Sequence, residues 1–578
     1  MKHTLLLLAF MGQALSVSFA QSTVYPPFSW VKTITFANAN SGAEVFDFCA
    51  DPAGNSYVYG IFGGSLLFGN GILLQTLNAA EGYFIAKYDP DGNLSWARKI
   101  VASNNGIIYP EANPGGISAD ADGNVYISGQ VSTAALNFSG VVLQRSCTGT
   151  PLCSDLFVAK YNAAGEVEWV RHASGSAGTF QKATRLVAGT DGSVFLAGNY
   201  EGQQLNFDNA LSYTGLNNDG MYLARYNADG TALLATFFDN GNSYALVEHL
   251  ALTPQNEPLI TGYYADQGLQ FGNNVSLDLF GGNAATNYFL VRYNAQGEAQ
   301  QAYNLHSANY MDLLDVAADT AGQPYIIVDF ATSIASGIEP VASTPIAGDT
   351  SGILLHLTDS TFQPVVAINY SGPTYPLANV AVDQYNRFFA SGYFADATLT
   401  VGNTVLTNEG CDDALLLSGS NNTLPINWVR SAGGVGCEAI FSAYVGRALA
   451  TDQPGNLYAV GSFGEILQLD DFLKSGDGLF IAKLATATVG APEPTVTELD
   501  FQLIPNPSPG DFYITTDDLS APAHLMVYDA QGGLRYERSI RQTTDQAVHL
   551  ALPSGLYTVI LVEKNKIGRQ KMLIINAF

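Results

Sequence analysis

The feature that most restricts this chain is a unit of four strand-length runs that recurs along most of its length. Its clearest copy opens at Gly116-Ile117-Ser118-Ala119, turns through Asp120-Ala121-Asp122-Gly123-Asn124 and resumes at Val125-Tyr126-Ile127-Ser128-Gly129. After a long loop come Leu156-Phe157-Val158-Ala159-Lys160-Tyr161, the turn Asn162-Ala163-Ala164-Gly165-Glu166, and Val167-Glu168-Trp169-Val170-Arg171. Each run is short, rich in β-branched or aromatic residues, and bounded by turn formers, so each reads as a strand. The unit predicts strands at Ile117–Ala119, Val125–Ser128, Leu156–Tyr161 and Val167–Arg171. The third-strand signature returns at Phe84–Tyr88, Tyr222–Tyr226, Phe289–Tyr293 and Phe480–Leu484, with weaker copies at Ile353–Leu357 and Ala414–Leu417.

Seven sets of the first three strands, at intervals of roughly 60–73 residues, predict an all-β chain whose body is a seven-bladed β-propeller with four-stranded blades, over residues 21–484. An open solenoid is the rival arrangement of the same strands. Six fourth strands follow their own third strand, around Trp96, Trp169, Leu234, Ala302, Val366 and Trp428. The seventh set runs instead into the Ala/Thr/Pro-rich linker 485–499. An orphan run, Phe28–Ile34, stands before the first set and matches Ile426–Arg430 in form. It is expected to complete the seventh blade and so hide two sheet edges. Over about residues 28–484 the repeats resemble the bacterial β-propeller repeats of the SBBP type.

The last part of the chain follows a different order of motifs. It carries Pro505-Asn506-Pro507-Ser508-Pro509-Gly510-Asp511-Phe512, then Met526–Gly532, Gly555-Leu556-Tyr557, and Gly568-Arg569-Gln570-Lys571-Met572. In that order they resemble the type A C-terminal sorting domain of the bacterial type IX secretion system, over roughly residues 500–576. The resemblance implies a small Ig-like β-sandwich at 500–578. It would be read by the secretion machinery of the outer membrane through Pro505, Asn506, Pro507, Gly510, Gly555, Tyr557 and Lys571, and usually cut off at the cell surface. A tail beyond Ile575 and Gly533, where the family often has Lys, depart from the pattern. The other end agrees: Lys2 and His3, the apolar Leu5–Met11 and Ser18-Phe19-Ala20 read as a signal peptide over 1–20. A secreted or surface-attached protein follows, with no membrane span expected in the mature chain.

Net charge is −27 with pI near 4.4, although only 13% of residues are charged. Such a surface repels phosphate backbones, which argues against nucleic acid as a partner. The acidic residues are scattered, so solubility explains them.

Five cysteines leave one over after two bridges. Cys147–Cys153 and Cys411–Cys437 are the candidate pairs. All four fall in connections that an up-and-down blade places on one loop-rich face. Cys49, in the apolar run Val45–Ala50, is expected to be a buried thiol. The Asp-x-Asp-Gly pieces at Asp120–Gly123 and Asp89–Gly92 suggest calcium, but they lack the ligand count of a calcium loop and read better as hairpin turns. Trp96, Trp169 and Trp428 share one repeat position, which favours packing over sugar stacking. The signature lysine is expected on a solvated or salt-bridged side of its sheet. His172, His249, His306 and His356 are dispersed over different repeats, and no zinc, phosphate-loop or nucleophile-elbow motif occurs. No catalytic, cofactor or metal residue is therefore named.

The expected function is a non-catalytic secreted or cell-surface binding protein, using the loop-rich face of a monomeric propeller to contact glycan or protein. The alternative is a propeller carbohydrate-active enzyme, a glycoside hydrolase or polysaccharide lyase. A structural surface protein without a discrete ligand is the third reading. A deep central pocket lined by two or more carboxylates and an aromatic ring would favour the enzyme, and a plugged axis would favour binding.

Overall fold

The structure is a computed structural model. It describes residues 25–575 except 38–40, 77–80, 103–114, 148–152, 176–178, 208–210, 215–218, 239–243, 282–285, 338, 344–349, 359, 371–374, 409–411, 421–425, 433–436, 440–446, 465, 486–496, 499–500, 516–522, 529–533, 541–545 and 564–565. The signal segment, Cys411 and most of the linker lie outside the described residues. Among the described residues the fold is all-β; the only helical piece is a 3-10 turn at Gly69–Gly71. The chain forms two compact units, Met1–Thr486 and Ala487–Phe578.

In the larger unit the sequence repeat becomes a repeat of antiparallel ladders. The copy around Asp120 orders Ile117–Ala119, Val125–Val131, Asp155–Tyr161 and Val167–Gly175 side by side. Its first strand has the expected bounds. The others run beyond the apolar signal, because ladder hydrogen bonds continue past the last core-facing residue. Seven four-stranded ladders occur among the described residues. Their first strands are Gly42–Ala50, Ile117–Ala119, Gln181–Ala188, Ala245–Leu252, Met311–Ala318, Tyr375–Val382 and Leu449–Thr451. Successive first strands touch, and Leu449–Thr451 touches Gly42–Ala50, so they form a circle in a β-propeller-like fold.

The seventh ladder takes its fourth strand from the start of the chain. Phe28–Phe36 runs antiparallel to Gly478–Leu484, with Phe28 opposite Leu484 and Thr35 opposite Gly478. Gly478–Leu484 pairs on its other side with Leu457–Gly464. Phe28 N donates to Asp470 Oδ2 at 2.9 Å, and Arg430 of the sixth ladder donates to Pro26 O at 3.0 Å and also reaches Asp470.

Neighbouring ladders are tied at the turn between third and fourth strands. Trp30, Trp96 and Trp169 each donate their indole N–H, at 3.0 Å, to a carbonyl of the next ladder, at Pro90, Ala163 and Ala228 respectively. Lys483, Lys87 and Lys160 reach the same three carbonyls. Their ammonium groups lie over the rings of Tyr458, Tyr57 and Tyr126 at 5.1, 5.3 and 5.6 Å. The expected solvated face is therefore corrected for Lys87 and Lys160, which are buried between ladders, although Lys160 does keep an ion pair with Glu168 at 2.9 Å. Each tryptophan lies flat on a turn glycine of the next ladder. A Cβ on Gly165, at φ +76°, would stand 2.6 Å from the Trp96 ring. Gly165→Ala is expected to cost about 2–4 kcal/mol, from left-handed strain plus overpacking. Equilibrium urea unfolding would read it, and an unchanged midpoint would contradict this packing.

The long connections between second and third strands are hairpins in the main. They span 65–75, 135–144, 204–214, 269–277, 333–343, 398–407 and 466–475. The hairpin at Ala135–Phe138 adds to the preceding ladder at Leu94–Ala102, and that at Gln204–Phe207 adds to Val167–Gly175. Their inward residues are buried, as at Leu66 and Phe68, Leu136 and Phe138, and Leu205 and Phe207. What sequence suggested were variable binding loops are thus largely built into the sheets, where apolar alternation holds them to the neighbouring ladder.

The smaller unit stacks two sheets. One orders Thr497–Glu498, Lys566–Ile574, Gly555–Glu563, Ala523–Tyr528 and Leu534–Ile540; the other orders Gln502–Ile504, Asp511–Thr515 and Gln546–His549. Phe501, Phe512, Leu525, Val559 and Ile574 are among the residues of its own core.

Candidate functional site

Each first strand feeds the centre of the circle, and a break in register decides which side chain goes there. Pairing slips between Val45 and Asp47, Ala183 and Arg185, Val247 and His249, and Leu313 and Asp315. An extra residue at such a bulge turns the following side chain to the other face. Asp47, Arg185, His249 and Asp315 each occupy that position, four residues before the turn that ends the strand.

There Arg447 spans three ladders. Its Nη2 lies 3.0 Å from Asp47 Oδ2, 2.6 Å from Ile117 O and 3.2 Å from Leu186 O. Asp47, fully buried, also accepts from Ile117 N at 2.9 Å and Arg447 N at 2.8 Å. Burial opposes the charge on Arg447, but Asp47, with Cys49 and Asp315 adding to it, holds the guanidinium above its ordinary pKa. Arg185, buried, donates to Thr184 O at 3.0 Å and feels Asp47 and Asp315; burial nevertheless lowers its pKa. Asp315 accepts from Val380 N and Val316 N at 2.9 Å, and burial raises it to about 6 despite both bonds and both guanidinium groups. His249 is lowered to about 3, by burial and then by Arg185, and its Nε2 lies 3.1 Å from Leu313 O. At neutral pH it is an uncharged ring donating to that carbonyl. Two acids and two guanidinium groups thus act on one another near the centre of the circle.

A second polar cluster lies at the end of the circle where first strands begin, across the fourth and fifth ladders. Asp312 and Asp329 stand directly opposite each other on paired strands, a placement that like charges oppose. Tyr288 donates its phenol to Asp312 Oδ1 at 2.9 Å, and Tyr370 donates to Asp329 Oδ1 at 2.6 Å. Burial raises Asp312, against the Tyr288 phenol and the Leu313 N–H. Burial and Asp312 raise Asp329 to about 7, against the phenols of Tyr370 and Tyr310. Glu248, the residue inside the fourth ladder's bulge, is raised to about 8 by burial and by Asp312, with Arg185 opposing. Its Oε2 is shut off from solvent and meets no donor among the described residues. A run of rings continues outward: Tyr288 meets Tyr263 at 5.7 Å, and Tyr263 meets Tyr244 at 5.9 Å, both edge-on. Tyr244 is 58% exposed and Tyr310 45%. The cluster therefore offers carboxyl groups that hold protons near neutrality beneath open aromatic surfaces.

The residues singled out from sequence take other places. Cys147 and Cys153 are bonded, with Cα atoms 6.2 Å apart, and the loop is held by Asp155, which accepts from Ser146 N and Ser146 Oγ. Cys437 begins a short strand paired with Gly464; its candidate partner Cys411 lies outside the described residues. Cys49 is a buried free thiol, and burial raises it strongly. The calcium-like turns spend their carboxylates on themselves: Asp120 accepts from Asn124 N at 2.9 Å, Asn124 Nδ2 at 2.8 Å and the Tyr126 phenol at 3.1 Å, and Asp51 and Asp452 repeat the arrangement. His356 packs 4.1 Å from the Tyr325 ring and beside Asp319, and His306 stacks on Phe280 at 5.2 Å. His172 lies 3.3 Å from Ser146 Oγ.

In the smaller unit the sorting motifs converge. Asn506 donates to Lys571 O at 2.6 Å and accepts from Leu573 N at 3.0 Å. The segment Pro505–Pro507 is thereby clasped to the last strand. Gly510 accepts from Leu550 N at 2.8 Å with φ at +113°, where a Cβ would meet that same residue's carbonyl at 2.6 Å. Tyr557 donates to Pro553 O at 2.9 Å, just before Gly555, and Lys571 donates to Thr558 Oγ1 at 2.8 Å.

Residues 502–576 match the family model described as the secretion system C-terminal sorting domain. The protein is accordingly exported, to be released or held at the outer surface, and the domain implies interaction with the secretion machinery. An uncharacterized WD repeat-containing protein of Acanthamoeba polyphaga mimivirus is 26% identical over 218 residues, covering 34% of this chain and 15% of that protein. The chain thus spans a small part of that relative's length. Among solved structures, a PL25 ulvan lyase bound to a glucuronate–sulfated rhamnose ligand aligns over 80% of this chain and 95% of its own, at 10% identity and TM-score 0.35. A glycoside hydrolase family 32 protein from Bifidobacterium adolescentis aligns over 95% and 96%, at 11% identity and TM-score 0.21. Function has to be argued from the site.

Proposed function

We propose that this protein is a secreted binding protein: a seven-bladed propeller, zipped by its N-terminal strand and followed by an Ig-like sorting sandwich, that contacts extracellular glycan through its loop-bearing face. The observation that carries the reading is the pairing of open tyrosine surfaces, Tyr244 and Tyr310, with half-buried carboxyl groups at Glu248 and Asp312 and the buried one at Asp329. Aromatic faces cover the apolar side of a sugar ring, and a few convergent polar groups fix its orientation. The test is a glycan and protein array probed with the secreted protein and with a Tyr244→Ala/Tyr310→Ala variant. Glycan binding that drops at least about tenfold in the variant supports the reading. Equal signals from both proteins would remove this face from consideration.

A carbohydrate-active enzyme is the second reading. It is favoured by Glu248 near 8 and Asp329 near 7, values suited to a general acid at neutral pH. Chain-shortened products from a polysaccharide, lost in Glu248→Gln, would favour it.

The address label can be tested apart from either. Truncation after Val489 is expected to leave a folded larger unit in the periplasm, since the two units have separate cores. Fractionation and immunoblotting would show it. Surface or medium levels equal to full length would contradict a sorting role for residues 502–576.

A further inference from the structure

We propose that the carboxyl–tyrosine cluster of the fourth and fifth ladders seats a protonated amine carried by a glycan, that is, a de-N-acetylated amino sugar. The inference rests on the reading that this face binds glycan, and it names the sugar class.

The argument is one of charge and missing partners. Asp312 and Asp329 face each other across paired strands, and Glu248 lies near enough to raise its own proton affinity through Asp312. Asp312 accepts from the Tyr288 phenol at 2.9 Å and from the Leu313 N–H, and Asp329 accepts from the Tyr370 phenol at 2.6 Å and from that of Tyr310. Glu248 Oε2, shut off from solvent, accepts from nothing among the described residues, so one acceptor that Asp312 influences is left without a donor. The groups that act on Glu248 are Asp312, Arg185, and the phenols of Tyr288 and Tyr263; its strand neighbour His249 is uncharged. Arg185 is the one cation among them, and it is engaged at the axis with Thr184 O and the fields of Asp47 and Asp315. Acid therefore outnumbers base locally, and protons make up the difference when the site is empty.

An ammonium group answers each point. It brings three donors and no acceptor, matching an unpartnered carboxylate oxygen. It replaces a proton as counter-charge between facing carboxylates. Tyrosine rings attract a cation, and Tyr263 and Tyr310 stand beside the same carboxyl groups. A uronate or a sulfate would meet carboxylates and no available guanidinium, so polyanionic sugars are disfavoured. Exposed Tyr244 offers stacking surface to a pyranose beyond the amine, which favours a sugar over a lysine side chain.

Calorimetry on the full-length chain decides it. At about pH 6 an amine of ordinary basicity is already cationic while Glu248 holds its proton, so protons released on binding come from the protein. Titrations with a glucosamine oligomer, an N-acetylglucosamine oligomer, a galacturonate oligomer and an oligolysine peptide are run in two buffers of different ionisation enthalpy. The glucosamine oligomer is expected to bind at least about tenfold tighter than the N-acetylated one, with net proton release. Glu248→Gln should abolish the preference and lessen the release, since Asp329 still holds a proton, while still binding the N-acetylated oligomer. Equal or tighter binding of the N-acetylated or galacturonate oligomer overturns the amine seat and leaves the glycan-binding face standing. Binding of oligolysine alone overturns the sugar assignment. Absence of binding to all four overturns the amine seat, and the glycan reading falls with it only if the array is also blank.

Discussion

Removing Phe28–Phe36 is expected to leave no soluble, folded larger unit. The strand supplies one whole side of the ladder to Gly478–Leu484, and it buries Phe28, Trp30 and Ile34. Burial of three such side chains is worth roughly 5–9 kcal/mol, a large part of the stability of any domain. The loss also uncovers an unpaired edge on Gly478–Leu484, a template for pairing with other chains. The deletion protein should collect in aggregates or higher oligomers by size exclusion, with a lost cooperative melt. A monomer that melts at the parent temperature would show that the strand is dispensable.

Asp47→Ala is expected to cost about 3–5 kcal/mol, because it strands a buried guanidinium. Arg447 would lose its carboxylate partner, and the N–H groups of Ile117 and Arg447 would lose their acceptor. The network links the first, second, third and seventh ladders, so the effect should appear as a lower global transition. Asp91→Ala, an exposed carboxylate on a turn, is the control and should stay within about 0.5 kcal/mol of the parent. Adding Arg447→Met to Asp47→Ala should cost less than the two single changes summed, since the partners are coupled. Chemical denaturation of the four proteins measures all of this; Asp47→Ala behaving like Asp91→Ala would show that the axis does not hold the circle together.

Strands were legible wherever a turn with its own chemistry bounded them. Asp120–Asn124 and Asn162–Glu166 announce themselves because Gly123 and Gly165 sit at positive φ and the side chains of Asp120 and Asn162 close the turns. The hairpins between second and third strands were missed, although Leu66-Leu67-Phe68-Gly69, Leu136-Asn137-Phe138 and Leu269-Gln270-Phe271-Gly272 are a recurring alternation with the period of a strand. Variable hairpin tips hid it. The axis residues were illegible for another reason. Val45–Ala50 reads as apolar with one intruding Asp47, and only a bulge, which strict alternation cannot foresee, turns that carboxylate to the centre. Asp312 and Asp329 lie on different strands of one ladder, and Glu248 lies on the next; among 51 acidic residues and 30 tyrosines, no local spacing marks them.

The shared ladder of Phe28–Phe36 and Gly478–Leu484 also sets how the ring answers to mechanical load. Gly478–Leu484 is bonded along both sides, to Phe28–Phe36 and to Leu457–Gly464. Tension applied to the chain beyond Leu484, the side from which the sorting domain follows, strains two rows of hydrogen bonds together, as a lap joint is strained in shear. Tension at Phe28 meets the one long row that holds the opening strand, with a short contact to Leu66–Leu67 beside it. The ring is therefore a clasp that grips more firmly at Gly478–Leu484 than at its opening strand.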